Sequence, residues 1–356
     1  MNSKSRVLSA FAFEVPDRVP INYMANPGID LRLKNHFGVG TDDREGLRQA
    51  LGVDFRAVAA RHTGRPLHEP VPDRRVDPLW GWHTREVEHT GGNYWDFCDF
   101  PLRDADLEQI EAWPMPSPDD FDYQTVGEQC AHYRDYAVHV GDPGLACIMN
   151  TAGFLRAMDQ MFIDLATDDP AGLRLIDRFL DIQFEKTVRE LEAAKGGVDF
   201  MWIGEDLGTQ DGPIIGMEMF TRVIKPRHQR FIDLAKAYDL PVMIHTCGSS
   251  SWSYEEYIAM GVNAVETLQP EAAGMDPATL KSRFGGRLAF HGCISTTGPL
   301  SFGSPDDVRR QVRDTLSIMG PDGGYMLSPS HSIQNNSPLE NVLAMYEEAH
   351  ASGRYR

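Results

Sequence analysis

From about residue 124 to the end of the chain, short apolar runs of strand type alternate with stretches of helical spacing. That rhythm limits the fold more than any other feature. Strand-like runs are read at Tyr136–Val140, Val198–Ile203, Val242–Ile244, Val262–Thr267, Leu288–His291 and Tyr325–Leu327. Helix-like stretches separate them, among them Gly153–Ala166, Ala171–Lys195, Met217–Tyr238, Pro277–Phe284, Asp306–Met319 and Leu339–Ser352. Strict alternation of this kind implies a parallel sheet with helical crossovers. Two earlier runs, Arg18–Tyr23 and Val53–Ala59, bring the total to about eight units over 356 residues, which suits one α/β barrel. A Gly-rich dinucleotide loop, the mark of an open doubly wound sheet, does not open the chain. The expected fold is a single (β/α)8 TIM barrel over residues 1–356.

One region breaks the rhythm. Between Thr63 and Trp113 the chain is rich in Pro, Arg, His and Trp. Alternation in Thr84–His89 and Asn93–Phe97, with Gly91 and Gly92 near a turn, predicts a β-hairpin. The segment reads as an N-terminal hairpin and loop insertion over one mouth of the barrel. Its aromatic residues Trp80, Trp82, Tyr94 and Trp95 call for burial.

A formal charge of -18, from 34 basic and 52 acidic residues, makes nucleic acid and anionic membranes poor partners. The five cysteines are widely spaced and odd in number, so they form no disulfide framework. Neither a signal peptide nor a membrane-spanning run is read, and a reducing cytoplasm is the expected compartment.

In a barrel the chemistry gathers where the strands end. After the late strands come Glu205-Asp206, His245-Thr246-Cys247, Glu266, His291-Gly292-Cys293 and His331. His245 and Cys247 are two apart on an extended strand, so both face the same side. Imidazole plus thiolate suits zinc. Each residue also has an ordinary reading. Glu205 and Asp206 can cap a helix, with Asp206 the better capping or orienting group and Glu205 the one with reach. His291 and Cys293 can pack in the core, Glu266 can pair with a base, and His331 can sit idle in a turn.

Several stretches together resemble the uroporphyrinogen decarboxylase superfamily: Phe11–Pro20, Glu205–Gln210, His245–Gly248, Phe290–Ser295, Gly324–His331 and Ser337–Asn341. The likeness runs over nearly the whole chain and is strongest from Val198 onward. It implies a (β/α)8 barrel with its site at the C-terminal mouth. Within the superfamily the chain is more similar to the cobalamin-linked methyltransferases of the coenzyme M type, which carry a His-x-Cys…Cys zinc motif. His245 and Cys247 match its first two positions, and the third falls at His331. A His-Cys-His set is less anionic and leaves the metal more Lewis-acidic, suited to an oxygen or carboxylate acceptor.

The decarboxylase itself works on a tetrapyrrole with eight carboxylates, without a metal, and has an arginine-bearing loop after the first strand. Here Asn22–Gly28 has no Arg. The resemblance therefore implies a zinc-dependent methyltransferase with His245, Cys247 and His331 on Zn2+ and Glu205 as displaceable fourth ligand or catalytic base. Cys293 and His291 are further metal or substrate candidates. Asn150, Asp206, Gln210, Glu266 and Gln269 are candidate substrate contacts. Methylcobalamin on a partner corrinoid protein, or a small methylated compound, would be the methyl donor, and a homodimer is one candidate assembly. The alternatives are a metal-free lyase of the decarboxylase type and a non-catalytic binding barrel.

Overall fold

The computed structural model describes residues 1–89 and 92–355. Seven parallel strands form one curled sheet in chain order: β1 (Phe55–Val58), β2 (Ala137–Gly141), β3 (Phe200–Gly204), β4 (Val242–His245), β5 (Ala264–Leu268), β6 (Ala289–Ile294) and β7 (Tyr325–Pro329). Helices connect successive strands, as the alternation predicts. The architecture is α/β and TIM-barrel-like. Among the described residues, no helix is long and apolar enough to cross a membrane.

The predicted first strand, Arg18–Tyr23, is an extended segment held by isolated bridges instead of a regular ladder. It lies between the two sheet edges. Leu327 N donates to Pro20 O (2.8 Å), Asn22 N donates to Leu327 O (2.9 Å), and on the other side Asp54 N donates to Ile21 O (2.9 Å). Pro20 has no N–H to give, which shortens any ladder through this point. Side chains fix what the ladder cannot. The fully buried Asp54 carboxylate accepts from Arg6 Nη1 (2.7 Å), Arg18 Nη1 (2.8 Å) and Ile21 N (2.8 Å). A buried charge is tolerable only with such complete pairing.

Alternation along the strands sends one set of side chains inward. Phe55 meets His291 at 5.5 Å and Phe200 at 6.0 Å between ring centroids, and Trp202 meets His291 at 5.7 Å. The other set packs under the helices.

Two predicted helices are broken. Gly153–Ala166 is in fact the end of α1 (Met149–Arg156) and most of α2 (Met158–Thr167), parted at Ala157 with φ 65°. The buried Arg156 guanidinium is drawn aside there, donating to Leu102 O (3.0 Å) and Ala105 O (2.7 Å) and pairing with buried Asp164. Met217–Tyr238 contains a π-helical turn, Phe220–Ile224, before the helix Lys225–Ala237. Pro226 lacks the N–H that a regular helix would donate four residues back, and the wider turn absorbs that loss. The long helix α3 (Pro170–Ala194) continues unbroken.

Within residues 63–113, the strands His83–His89 and Gly92–Cys98 pair antiparallel. Gly91, part of the expected turn, lies outside the described residues. Trp80 packs on Phe179 of α3 (4.6 Å) and Trp82 edge-on against Phe154 of α1 (5.6 Å, 75°). Tyr94 and Trp95 are exposed, contrary to the expectation of burial; the Arg75 guanidinium lies over the Trp95 ring at 5.7 Å.

Candidate metal centre

The site grows from the ends of β3 and β4, which pair in register Gly204 with His245. Beyond that pair, alternation turns Asp206, two residues past Gly204, to the same side as His245 and Cys247. Among the described residues, Asp206, His245 and Cys247 form the group able to hold a metal, with one ligand atom from each lying within 4.8 Å of the others. His245 Nε2 stands 3.3 Å from Asp206 Oδ1 and 3.3 Å from Cys247 Sγ. Cys247 N also donates to Asp206 Oδ1 (3.2 Å), and the Asn150 amide donates to Asp206 Oδ2 (2.8 Å). The loops carrying Asp206 and Cys247 cross with no space between them. Gly248 sits at φ 63°, and a Cβ there would fall 2.4 Å from Gly208 O. A side chain at that crossing would force the two ligand loops apart.

His245 is oriented from behind. Glu266, fully buried on β5, makes a short hydrogen bond with His245 Nδ1. A carboxylate on Nδ1 fixes the ring so that Nε2 faces the other donors, the usual backing of a metal-bound histidine. His291 stands one layer deeper, its Nδ1 4.0 Å from Glu266 Oε1 and its Nε2 3.1 Å from Asn22 Nδ2. Burial pushes the His291 imidazole down to about 4, so it is neutral near pH 7.

Burial opposes charge on His245, but Glu266 and Asp206 outweigh it and raise its pKa well above the ordinary range. Burial would raise Asp206, but the hydrogen bonds from His245 and Asn150 win and hold it below the usual carboxylate range. Burial raises the Cys247 thiol, opposed by the neighbouring His245. An anionic oxygen, an imidazole nitrogen with its rear N–H satisfied and a thiol converge here. This donor set fits zinc, which takes carboxylate, imidazole and thiolate ligands.

The remaining sequence candidates lie elsewhere. The structure places Asp206, and not Glu205, beside His245. Glu205 is fully buried on the opposite side of the strand end, where Ile148 N (2.7 Å) and Met149 N (3.2 Å) donate to its two oxygens. It is the cap of α1, and burial pushes its carboxyl up to about 8. It stays outside the metal-capable group because adjacent residues of an extended chain point to opposite faces. His331 is exposed on the loop after β7, with Nδ1 3.4 Å from Gln334 Nε2, and is also outside the group. Cys293 is buried at φ 74°, borders a surface depression with Pro299 and Thr315, and is outside the metal-capable group. Gln210 is exposed and Gln269 half-buried on the loops after β3 and β5.

Glu205→Ala is expected to lower stability by about 2–4 kcal/mol, since two buried N–H donors lose their acceptor and a small void opens. Zinc binding should be retained. A denaturant titration with parallel metal analysis checks both halves.

A family model described as uroporphyrinogen decarboxylase (URO-D) matches residues 143–352. The chain belongs to the uroporphyrinogen decarboxylase family. This URO-D family member is 31% identical over 122 residues to a uroporphyrinogen decarboxylase of Cupriavidus metallidurans, covering 32% of this chain and 30% of that protein. It is 27% identical over 188 residues to one of Burkholderia pseudomallei, covering 51% and 48%. The matches thus span about a third to a half of these relatives' own length. A solved structure, a methyltransferase from Methanosarcina mazei, aligns over 99% of both chains with a TM-score of 0.65 and 18% identity. That likeness establishes the shared fold of the URO-D family chain across its whole length.

Proposed function

We propose that this chain is a zinc-dependent methyltransferase that moves a methyl group between a small methylated compound or methyl-corrinoid and an acceptor at the Asp206–His245–Cys247 group. The observation that carries this reading is the convergence of those three donors with Glu266 behind His245. A whole-length fold shared with a methyltransferase supports it.

Bound there, zinc would supply the positive charge that lowers the pKa of an acceptor group near neutrality. The protein's own residues supply the rest. Glu266 holds His245 in one orientation. Asn150 restrains Asp206 Oδ2, so that Oδ1 faces Cys247 and His245. Asp206 stays anionic down to low pH, which fits a ligand better than a proton carrier. Glu205 takes no direct part, and its effect on the site runs through α1 and Asn150. A partner corrinoid protein would present the methyl group at the same end of the barrel.

A carboxy-lyase is the second reading, favoured by the relatives named uroporphyrinogen decarboxylase. One pair of assays separates them. Zinc-loaded protein given methylcobalamin with 2-mercaptoethanol or phenol is expected to consume methylcobalamin, followed by its visible absorbance. His245→Ala should slow this by roughly 100-fold or more. Release of CO2 from uroporphyrinogen, with methylcobalamin untouched, would establish the lyase instead.

A further inference from the structure

A cavity of about 400 Å³ lies between the inserted segment, the ends of β1 and β2, and helices α1 and α3. That is an ordinary size for a small-molecule site. Trp80 and Trp82 both line it, their rings nearly parallel at 11° with centroids 6.4 Å apart. Phe154 and Phe121 add two more aromatic walls. Flat rings prefer such surroundings, through offset-stacked and edge-to-face contacts.

Helix α1 links the cavity to the metal-capable group. Phe154 lies four residues beyond Asn150 on α1, so the two share a face of that helix. Asn150 holds Asp206, and Phe154 lines the cavity. One helix face therefore spans both.

Charge at the wall decides what kind of ring fits. Lys186 is the one cation among the described lining residues, and it is already paired with Glu190. Asp142 adds a second acid. The lining is thus net negative by one, and a carboxylate entering it would meet repulsion without a free cation to offset it.

We propose that this cavity is the binding site for an uncharged aromatic ring, forming the part of the substrate that points away from the Asp206–His245–Cys247 group. The proposal rests on the methyl-transfer reading for what happens at the other end of the substrate. The ring site itself is independent of it. A tetrapyrrole bearing many carboxylates is the wrong size and the wrong charge for this space.

The test uses 2-naphthol and its charged counterpart 2-naphthoate as probes, titrated calorimetrically into the full-length, zinc-loaded protein. Naphthol is expected to bind at about one per chain, with naphthoate at least about tenfold weaker. Trp82→Ala should weaken naphthol by about tenfold. Ala57→Phe, which fills the cavity from the exposed side of β1, should abolish binding while leaving the melting temperature in place. His245→Ala should lose zinc and still bind naphthol as the parent does. Naphthol binding unchanged in Ala57→Phe, naphthoate binding as tightly as naphthol, or no naphthol binding by folded parent protein would each overturn the aromatic site. A parent protein that binds naphthol at this cavity but holds no metal would uphold it and overturn the methyl-transfer reading alone.

Discussion

Metal-free protein dialysed against zinc and then against buffer is expected to keep about one ion per chain, and Asp206→Asn and Cys247→Ser are each expected to lose it. His331→Ala is expected to keep it. The contrast follows from geometry. Asp206 Oδ1 and Cys247 Sγ both lie near His245 Nε2, whereas His331 is exposed and paired with Gln334. Glu266→Gln gives a graded result. The amide keeps the side chain's shape but weakens the hold on His245 Nδ1, so zinc affinity should fall by about 10–100-fold without vanishing. Elemental analysis of the variants, with a competing chelator to rank affinities, reads all four. Zinc lost in His331→Ala and kept in Asp206→Asn would restore the ligand set that the sequence motif implies and remove Asp206 from the centre.

The metal-capable group shows how far sequence reading reaches. The convergence of His245 and Cys247 was legible because both stand on one strand end, and an i, i+2 spacing on extended chain puts both on one side. The seven strands of the sheet were legible for the same kind of reason, each being a short apolar run between helices. The structure turns Asp206 toward His245 and Glu205 toward the start of α1, the reverse of what the sequence suggests. Both are acids at a strand end, and only the register of Gly204 with His245 decides which faces inward. His331 occupies the third position of the zinc motif that the resemblance implies, but Ser330 N donates to Ile294 O and Ala25 bridges Ile333, and that loop leaves His331 exposed.

Sequence alone makes Glu266 a candidate substrate contact, and its place behind His245 follows only from the β4–β5 pairing. The break at Ala157 had no local signal at all, since alanine is a strong helix former. It answers to the buried Arg156 and its partners, which are distant in sequence. Pro226 did carry a signal, and weighing it would have predicted the disturbed turn before it.

Stability of the metal-free protein is expected to peak near pH 6.5 and to fall on both sides. Three histidines set the acid limb. Burial pushes His139, His228 and His291 each down to about 4. His228 shows how the neutral ring is kept, with Nε2 3.1 Å from Ala146 O and Nδ1 3.3 Å from Tyr257 Oη, one donor and one acceptor role. In the unfolded chain these rings take up protons below about pH 6.5, while the folded protein refuses them until about pH 4.

The unfolded state then holds three more protons, and stability falls as pH falls. Glu205 works against this. Its folded carboxyl is pushed up to about 8, so above the ordinary carboxylate range the native state holds one proton that the unfolded state has lost. Between about pH 4.5 and 6.5 the balance is two protons in favour of the unfolded state, a slope of roughly 3 kcal/mol per pH unit. Above pH 6.5 the three histidines are neutral in both states and contribute no slope. Glu205 and the raised His245 then hold protons only in the folded state, so stability declines as pH rises.

Denaturant titrations from pH 5 to 8 in the presence of a chelator measure both limbs. Glu205→Gln, which fixes the neutral form of that side chain, should flatten the alkaline limb by about one proton and steepen the acid limb by the same amount. A stability that stays level from pH 6.5 down to 5 would mean that the three buried rings accept protons in the folded state, and the packing around His139, His228 and His291 would have to be looser than the structure has it.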